Sequence, residues 1–368
     1  MKNCDVGLIS WHYYTNVGSN LQAYALAKVI KDLGYSCEYI NYRKNTRKDS
    51  LLRHMLKEVC SSMDSVIQNV IPRRLRVQSY RFVSDYIPQS EWIKKNDLGS
   101  LNGRYKMYMC GSDQIWASNV LHEVYLLSFA DDYTPKFSYA SSIGLPGIPN
   151  DKKSLYIQNL KRFEKITVRE KQGADLLSKL LGIKIDWVLD PTFLVASYEW
   201  KQIARHYSIP KKRYIFCYFL GKNPEHREWV DNIAKKNGLE VICISSDIND
   251  RKRGWYVNPF VGPREFVGYI DKADLVMTDS FHGMALSINL NKDFYVMERF
   301  KNDDSICQNS RIVNILNALN LNDRLVKTYI NNVTPVNYKI INENLEQEKE
   351  RSLKILKNML KIGCTKGE

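Results

Sequence analysis

The sequence predicts an α/β protein with two doubly wound, Rossmann-like domains that face each other across a cleft. A chain of 368 residues is longer than one hydrophobic core usually serves, since domains typically contain ~100–200 residues. Short apolar runs alternate with longer segments of helical periodicity, the order typical of a parallel sheet covered by helices. The alternation begins again after Asp190–Thr192, so we place the first domain at 1–195 and the second at 196–330.

The first domain contains a series of apolar runs that we predict to be strands. They lie at 6–10, 37–40, 106–110, 137–141 and 165–168. Helices are predicted from Asn20 to Leu33, where Gly34 ends the helix, and from Glu170 to Leu181. Because the strands are predicted to be parallel, the loops after them should meet at one edge of the sheet.

The second domain repeats this order. Strands are predicted at 214–218, 240–244, 274–278 and 293–297, and helices at 225–237, 263–272, after His282 and at 310–319. A last helical stretch, 342–361 within the segment 331–368, is predicted to pack back on the first domain. Two such sheets leave a cleft at the carboxyl ends of their strands, where open α/β sheets bind ligands.

Composition indicates a globular cytoplasmic enzyme. Apolar residues make up 44% of the chain and aromatic residues 11%, enough to build large cores. The chain has no apolar run of the ~18 residues that a membrane span needs, and Met1 leads directly into a short strand, so neither a span nor a signal peptide is expected. The eight cysteines lie far apart without zinc spacing, which favours free thiols.

A net charge of +14 is partly concentrated in one predicted insertion, about 44–102. Between Lys44 and Arg81, nine basic residues face three acidic ones, and apolar residues recur there at helical spacing. Such helices can lie on an anionic membrane surface, which would place an enzyme with a lipid-linked acceptor at the inner membrane face. A helical hairpin packed on the domain is the interpretation we favour. Nucleic acid is not expected, because no recognised motif accompanies the charge.

The segment 278–283 combines a strand end, a turn of small residues and a histidine. The first N–H groups of the helix that follows, with the positive end of its dipole, favour a phosphate group above the sheet. Ser280 lies beside this position and His282 within reach of a bound anion. The alternative is that Asp279 or Ser280 only caps the helix and that His282 is an ordinary loop residue.

Two loops of the first domain also follow predicted strands. The loop 16–20 consists of small residues that can approach a sugar or phosphate, but it lacks the G-x-G-x-x-G order of a dinucleotide site. In the loop 111–116, Asp113 lies at the sheet edge where catalytic carboxylates are commonly found. Ser112 or Asp113 could instead serve as an ordinary helix cap.

Two arginines are candidates for binding an anion. Arg169 ends a strand and can offer its forked guanidinium to a carboxylate or phosphate, unless it only pairs with Glu170 or Asp190. Asp190 either positions Arg169 or caps the turn between the domains. Arg311 opens a late helix and can supply a further cation near the anion.

The order of these motifs resembles the polysaccharide pyruvyl transferase family. The segments that carry the resemblance are 16–26, 111–116, 138–144, 167–170, 190–192 and 280–283, within about 6–319. The resemblance implies a glycosyltransferase-B-like fold, phosphoenolpyruvate as donor, and a sugar of a surface or exopolysaccharide precursor as acceptor. The product would be a pyruvate ketal, formed without a cofactor or metal.

The chemistry that the resemblance implies gives each motif a role. Arg169 would pair with one anionic group of the donor, while Ser280 and the N–H groups of Phe281 and His282 hold the other. Because two anionic groups favour imidazolium, His282 is the predicted general acid, and Asp113 is the predicted base or acceptor clamp. The predicted donor-binding residues are Arg169, Ser280, Phe281, His282, Gly283 and Arg311. The predicted acceptor-binding residues are Asn16, Ser19, Asn20, Ser112, Asp113, Gln114 and Trp116. Trp116 would stack on a sugar ring, and the alternative is that it packs between the domains.

Two other functions compete with this one. A nucleotide-sugar-dependent glycosyltransferase is the first alternative, because the same two-domain cleft serves that reaction. A non-catalytic glycan-binding subunit is the second, and the presence of His282, Arg169 and Asp113 argues against it.

Overall fold

The protein forms two parallel β-sheets, each covered by helices on both faces. The computed structural model describes residues 4–13, 16–42, 77–206, 212–245, 247–257, 261–300, 304 and 307–367. The predicted fold class, two doubly wound Rossmann-like domains, is confirmed by these sheets.

The first sheet has seven parallel strands in the order β3-β2-β1-β4-β5-β6-β7. The strands are β1 (Cys4–Ile9), β2 (Cys37–Tyr42), β3 (Gln89–Ile93), β4 (Tyr105–Cys110), β5 (Lys136–Ser141), β6 (Lys165–Val168) and β7 (Asp186–Trp187). The helices of this part are α1 (Val17–Asp32), α2 (77–86), α3 (Asn150–Leu160), α4 (Lys171–Leu181), α5 (Pro191–Leu194) and α6 (Ser197–Ile203). Short 3-10 helices lie at Lys95–Leu101 and Glu123–Leu126.

The second sheet has six parallel strands in the order β10-β9-β8-β11-β12-β13. The strands are β8 (Tyr214–Phe219), β9 (Glu240–Ser245), β10 (Tyr256–Val257), β11 (Leu275–Thr278), β12 (Phe294–Met297) and β13 (Leu325–Val326). The helices are α7 (Pro224–Asn237), α8 (Pro263–Lys272), α9 (Phe281–Asn289), α10 (Ser310–Ala318) and α11 (Tyr338–Gly367). Two more 3-10 helices lie at Ile248–Arg253 and Asn322–Arg324.

The predicted insertion at 44–102 is only partly covered by the described residues, because 43–76 lie outside them. The covered part contains a helix at 77–86, but it also contains β3, so this part is not helical throughout. The strand was missed because Gln89–Ile93 carries polar residues and lies at the edge of the sheet, where a strand can face water. None of the helices in the described ranges is long and apolar enough to cross a membrane.

Helix α11 runs from the second sheet back to the first. Its Gly363 packs so closely on β4 that a Cβ there would lie 2.5 Å from the side chain of Met107. Its Ser352 hydroxyl accepts a hydrogen bond of 3.0 Å from the Leu189 N–H. This helix and the packing of α9 on α5 hold the two sheets together, so that the loops after their strands face one cavity.

Candidate active site

The second-domain wall of the site is the turn between β11 and α9. Ser280 is the N-cap of α9, and its hydroxyl accepts a hydrogen bond of 3.5 Å from the Gly283 N–H. Gly283 is required there, because a Cβ would lie 2.6 Å from the Thr278 hydroxyl oxygen. The first N–H groups of α9, at Phe281 and His282, have no partner within the helix and carry its positive dipole end. The predicted succession of a strand, a short turn and a capped helix is therefore present in the fold.

Asp279 connects this wall to the turn that follows β8. Its two carboxylate oxygens accept hydrogen bonds from the N–H groups of Leu220 (2.7 Å) and Gly221 (2.6 Å), which follow β8. Burial raises the pKa of Asp279, against the opposing effect of these two donors and of Arg299. Asp279 thus has a structural role at the site and is not the cap of α9.

His282 lies at the boundary between the two domains. A Cβ added to Gly18, in the first turn of α1, would lie 2.1 Å from His282 Nδ1. The other ring nitrogen, Nε2, lies 3.9 Å from an oxygen of Asp190 and has no hydrogen-bond partner among the described residues. Burial lowers the pKa of His282; Asp190 opposes this effect and Arg169 adds to it. The imidazole is therefore neutral near pH 7 when the cavity holds no anion.

Arg169 belongs to a buried charge network behind the cavity. Its Nη1 donates a hydrogen bond of 2.8 Å to Asp190, and its Nη2 lies 3.8 Å from Asp113. The guanidinium carbon lies 4.5 Å from the centre of the Phe281 ring, a cation–π contact. Burial alone would raise the pKa of Asp190, but Arg169 and then His282 outweigh it and lower that pKa. Two carboxylates thus neutralise the charge of Arg169.

Asp190 combines both of the roles that the sequence left open. One of its oxygens caps α5 by accepting hydrogen bonds from the Thr192 N–H (3.0 Å) and hydroxyl (2.8 Å). The other oxygen accepts from Arg169 and, at 2.8 Å, from the Ser112 hydroxyl. Ser112 is fully buried, so it supports the network and does not face a ligand.

Asp113 is the carboxylate that the first domain presents to the cavity. One oxygen accepts a 2.5 Å hydrogen bond from the Ser19 hydroxyl, and the other accepts one of 2.8 Å from the Gln114 N–H. Its φ angle of +79° lies in the left-handed region, which is costly for a residue with a side chain. Such strain is retained where the surrounding structure fixes a functional side chain. We therefore keep Asp113 as a candidate catalytic residue.

The first turn of α1 completes this wall. The side-chain oxygen of Asn16 caps the helix by accepting hydrogen bonds from the N–H groups of Gly18 (2.8 Å) and Ser19 (3.3 Å). Asn20 points away from the cavity, because its amide donates a hydrogen bond of 2.9 Å to the carbonyl of His12. Asn16 and Ser19 therefore face the cavity, whereas Asn20 supports the loop before the helix.

These walls enclose a polar cavity of about 180 Å³ at the carboxyl ends of both sheets. It is lined by Asn16, Ser19, Asp113, Gln114, Leu220, Asp279, Ser280, Phe281, His282, Arg299 and Arg311. Of the predicted site residues, Asn20, Ser112, Trp116, Arg169 and Gly283 are not part of this lining. The described residues contain no group of three or more His, Cys, Asp or Glu side chains arranged to hold a metal ion.

The prediction that Trp116 contacts the acceptor is not supported by its position. The side chain is fully buried, and its indole N–H donates a hydrogen bond of 2.8 Å to the carbonyl of Tyr125. Its ring meets the Phe163 ring edge-on in the core of the first domain. A tryptophan with no exposed face cannot stack on a sugar ring, so its role is packing.

Two arginines of the second domain carry the positive charge at the cavity wall. The Nη2 groups of Arg299 and Arg311 donate hydrogen bonds of 3.3 Å and 3.2 Å to the same side-chain oxygen of Gln308. Burial, and next the nearby charge of Arg169, lowers the pKa of Arg311 to about 9, so it remains charged at neutral pH. Neither Arg299 nor Arg311 has a carboxylate partner within ion-pair distance in the described part of the chain.

Comparison with protein families identifies the group to which the sequence belongs. Residues 16–299 match the model of the polysaccharide pyruvyl transferase family. The chain belongs to this family. The matched range contains both cavity walls described above except Arg311, and it also excludes Gln308.

Several solved structures are similar to this pyruvyl transferase family member in backbone fold. UDP-GlcNAc 2-epimerase from Neisseria meningitidis, bound to UDP-GlcNAc, is 11% identical, with 96% of this chain and 98% of that chain covered and a TM-score of 0.47. HepE from Anabaena, in complex with UDP and glucose, is 12% identical, with 100% and 96% covered and a TM-score of 0.46. Among curated proteins, none matches the sequence.

Sequence reasoning missed Arg299 and Gln308 at the site of this family member. Arg299 lies just after β12, at the same sheet edge as the turn of His282. A charged residue after a buried strand was a usable signal, like the one that identified Asp113. Gln308 offered no such signal, because it does not follow a predicted strand and contributes through its contacts with two arginines.

Proposed function

We propose that this protein transfers the pyruvyl group of phosphoenolpyruvate to two hydroxyls of a sugar in a polysaccharide precursor. The observation that carries the proposal is the cavity of a pyruvyl transferase family member in which two arginines and a helix N-terminus face a carboxylate, with a buried histidine between them. The acceptor sugar would approach from the first-domain wall, where Asn16, Ser19, Asp113 and Gln114 offer polar groups.

The size and charge of the cavity suit a small anion with two charged groups. Its volume of about 180 Å³ is below the ~300–1,000 Å³ typical of pockets for drug-sized ligands. Phosphoenolpyruvate carries a carboxylate and a phosphate, and the cavity offers Arg299, Arg311 and the N–H groups of α9 to them. We assign direct donor contact to these groups. Contact of the donor with Arg169 stays a prediction, because Arg169 does not line the cavity.

In the proposed mechanism, His282 supplies the proton that starts the reaction. The neutral imidazole of the free protein gains a proton when the anionic donor binds, because negative charge nearby raises its pKa. Nε2 then donates this proton to the methylene carbon of phosphoenolpyruvate, and the adjacent carbon becomes oxocarbenium-like. A sugar hydroxyl attacks that carbon and gives its proton to Asp113.

The second half of the proposed reaction releases phosphate and closes the ketal. The carbon–oxygen bond to the phosphate breaks, and its electron pair leaves with the phosphate. A second sugar hydroxyl attacks the same carbon and closes the ring. The two hydroxyl protons balance the proton that forms the methyl group and the proton taken up by the released phosphate, so no oxidant or reductant is needed.

Ligand-induced stabilisation tests this proposal first. We expect phosphoenolpyruvate to stabilise the purified protein by about 2.7 kcal/mol at one hundred times its Kd. The Arg311→Gln variant should lose most of this effect. The matched control is Arg213→Gln, because Arg213 is a largely exposed arginine at the opposite end of β8. Stabilisation by uridine diphosphate but not by phosphoenolpyruvate would instead support a nucleotide-sugar glycosyltransferase.

Transfer itself can be followed as phosphate release from phosphoenolpyruvate in the presence of saccharide acceptors. Mass spectrometry of the product should show the mass of a pyruvate ketal on the acceptor. Binding of phosphoenolpyruvate without release of phosphate by any acceptor would leave a binding protein and contradict the proposed reaction.

Gly18→Ala is expected to lower the transfer rate by about one hundredfold, because displacing a catalytic group by about 1 Å costs about that much. The added Cβ would overlap His282 Nδ1 and push the imidazole away from its position between the walls. Phosphate release under saturating donor would measure the loss. The control is Gly147→Ala, since a Cβ at Gly147 meets no atom within 4 Å. Equal rates in the two variants would show that the position of His282 is not critical.

A further inference from the structure

We propose that Arg299 selects for a phosphorylated donor by holding its phosphate together with Arg311 in a subsite of the second-domain wall. The inference rests on the proposed function only in naming this phosphate as that of phosphoenolpyruvate. The subsite itself is defined by three side chains, those of Arg299, Gln308 and Arg311. Two of them, Gln308 and Arg311, lie beyond the range that matches the family model.

The first reason is that two positive charges converge on a neutral group. Arg299 and Arg311 both donate through Nη2 to the side-chain oxygen of Gln308, at 3.3 Å and 3.2 Å. A neutral amide oxygen does not compensate two guanidinium charges, and no ion pair to either arginine is formed within the described ranges. Like charges held this close are stabilised by an anion that binds between them.

The second reason is that Arg299 is fixed in position and still has an N–H group without a hydrogen-bond partner among the described residues. Its guanidinium carbon lies 4.5 Å from the centre of the Phe300 ring, and its stem packs on Gly221, where a Cβ would lie 3.0 Å from Cγ. Its Nε is buried and has no hydrogen-bond partner among the described residues. Burial lowers the pKa of Arg299 and the nearby Asp279 carboxylate opposes this effect, but Asp279 forms no ion pair with Arg299 in the described part of the chain. The Asp279 oxygens accept the N–H groups of Leu220 and Gly221. A positioned guanidinium with a free N–H suits the multiple oxygens of a phosphate.

The third reason is the distribution of charge across the cavity. On the first-domain side, the carboxylates of Asp113 and Asp190 together outweigh the single positive charge of Arg169, so that side is net negative and repels a dianion. On the opposite side, the two positive charges of Arg299 and Arg311 outweigh the one carboxylate of Asp279 that also lines the cavity. A donor with one phosphate therefore binds with the phosphate toward these arginines and the reacting carbons toward His282. When the carbon–oxygen bond breaks, the electron pair arrives on a phosphate that two guanidinium groups stabilise.

Arg299→Gln tests the inference through three probes whose Kd values are measured by calorimetry: inorganic phosphate, phosphoenolpyruvate and pyruvate. We expect the variant to weaken binding of phosphate and phosphoenolpyruvate by at least about tenfold, and that of pyruvate by less than about twofold. The matched control, Arg213→Gln, removes an exposed arginine at the amino end of β8 and should change none of the three.

A second variant checks the subsite without touching either arginine. Gln308→Glu places a carboxylate where both guanidinium groups now meet a neutral oxygen, and it should weaken phosphate binding by about as much as Arg299→Gln. Unchanged phosphate affinity in both variants would overturn the inference. An equal loss of pyruvate affinity would overturn it as well, because the site would then recognise any anion.

The outcomes also separate this inference from the proposed function. If inorganic phosphate binds through Arg299 and phosphoenolpyruvate does not bind at all, the phosphate subsite stands and the proposed donor is wrong. If phosphoenolpyruvate binds and reacts normally in Arg299→Gln, the proposed function stands and the subsite is wrong.

Discussion

Replacing His282 with glutamine is expected to lower the rate of pyruvyl transfer by about 10²- to 10⁴-fold, the usual contribution of a positioned general acid. Glutamine is close to histidine in size and polar, but it cannot supply a proton. In the structure, His282 is the histidine that lines the cavity, and its Nε2 has no hydrogen-bond partner among the described residues. Phosphate release at saturating donor measures the effect.

The variant should keep the donor site. The side chains of Arg299 and Arg311 and the N–H groups of α9 remain, so the Kd for inorganic phosphate, measured above the pKa of His282 in the complex, should stay within about threefold of that of the unchanged protein. A melting temperature near that of the unchanged protein would show that the fold is intact. A transfer rate within tenfold of the original would rule out His282 as the general acid.

The dependence of donor binding on pH gives a second readout for His282. In the free protein the pKa of His282 is lowered from 6.5, so the imidazole is neutral at pH 7. An anionic donor raises this pKa in the complex. Donor affinity should therefore decrease as the pH rises through the pKa of the complex and level off below the lower pKa of the free protein. His282→Gln should abolish the corresponding uptake of protons at pH 7, measured by calorimetry in buffers of different ionisation enthalpy.

The turn at His282 could be predicted because its signals are local. The end of a buried strand, a capping serine, a histidine and a required glycine all fall within 278–283, and the fold contains each of them at the predicted position. Asp113 was identified by its position after a strand. Its contact with Ser19, 94 residues away, depends on two loops that meet only when β1 and β4 pair. Sequence spacing alone does not reveal such a contact.

Trp116 and Arg169 show which parts of the site residue type alone does not decide. A tryptophan in a loop near a sheet edge is as compatible with a core position as with a sugar-binding face, and here the core position is adopted. Arg169 was correctly placed at a strand end, yet its charge is compensated by Asp190 and Asp113. Compensation depends on the burial and direction of three side chains, which tertiary packing decides.

Replacing Arg169 with methionine is expected to lower the free energy of unfolding by about 3–5 kcal/mol, the range for breaking a buried ion pair by removing one partner. The side chains of Arg169 and Asp190 are both fully buried, and the loss of the guanidinium would leave two carboxylates close together without their cation. Urea unfolding measures the change. A loss below about 1 kcal/mol would mean that the network does not stabilise the fold.

The double variant Arg169→Met/Asp190→Asn is the control for this interpretation. Removing both charges should cost less than the sum of the two single changes, because neither partner then remains buried and unpaired. Acid gives an independent check. The pKa of Asp190 is lowered in the folded protein, so its contribution is present above its unfolded pKa of 3.8 and is lost as the pH falls through the folded value. Arg169→Met should remove most of this acid sensitivity, since Arg169 is the largest of the interactions that lower the pKa of Asp190.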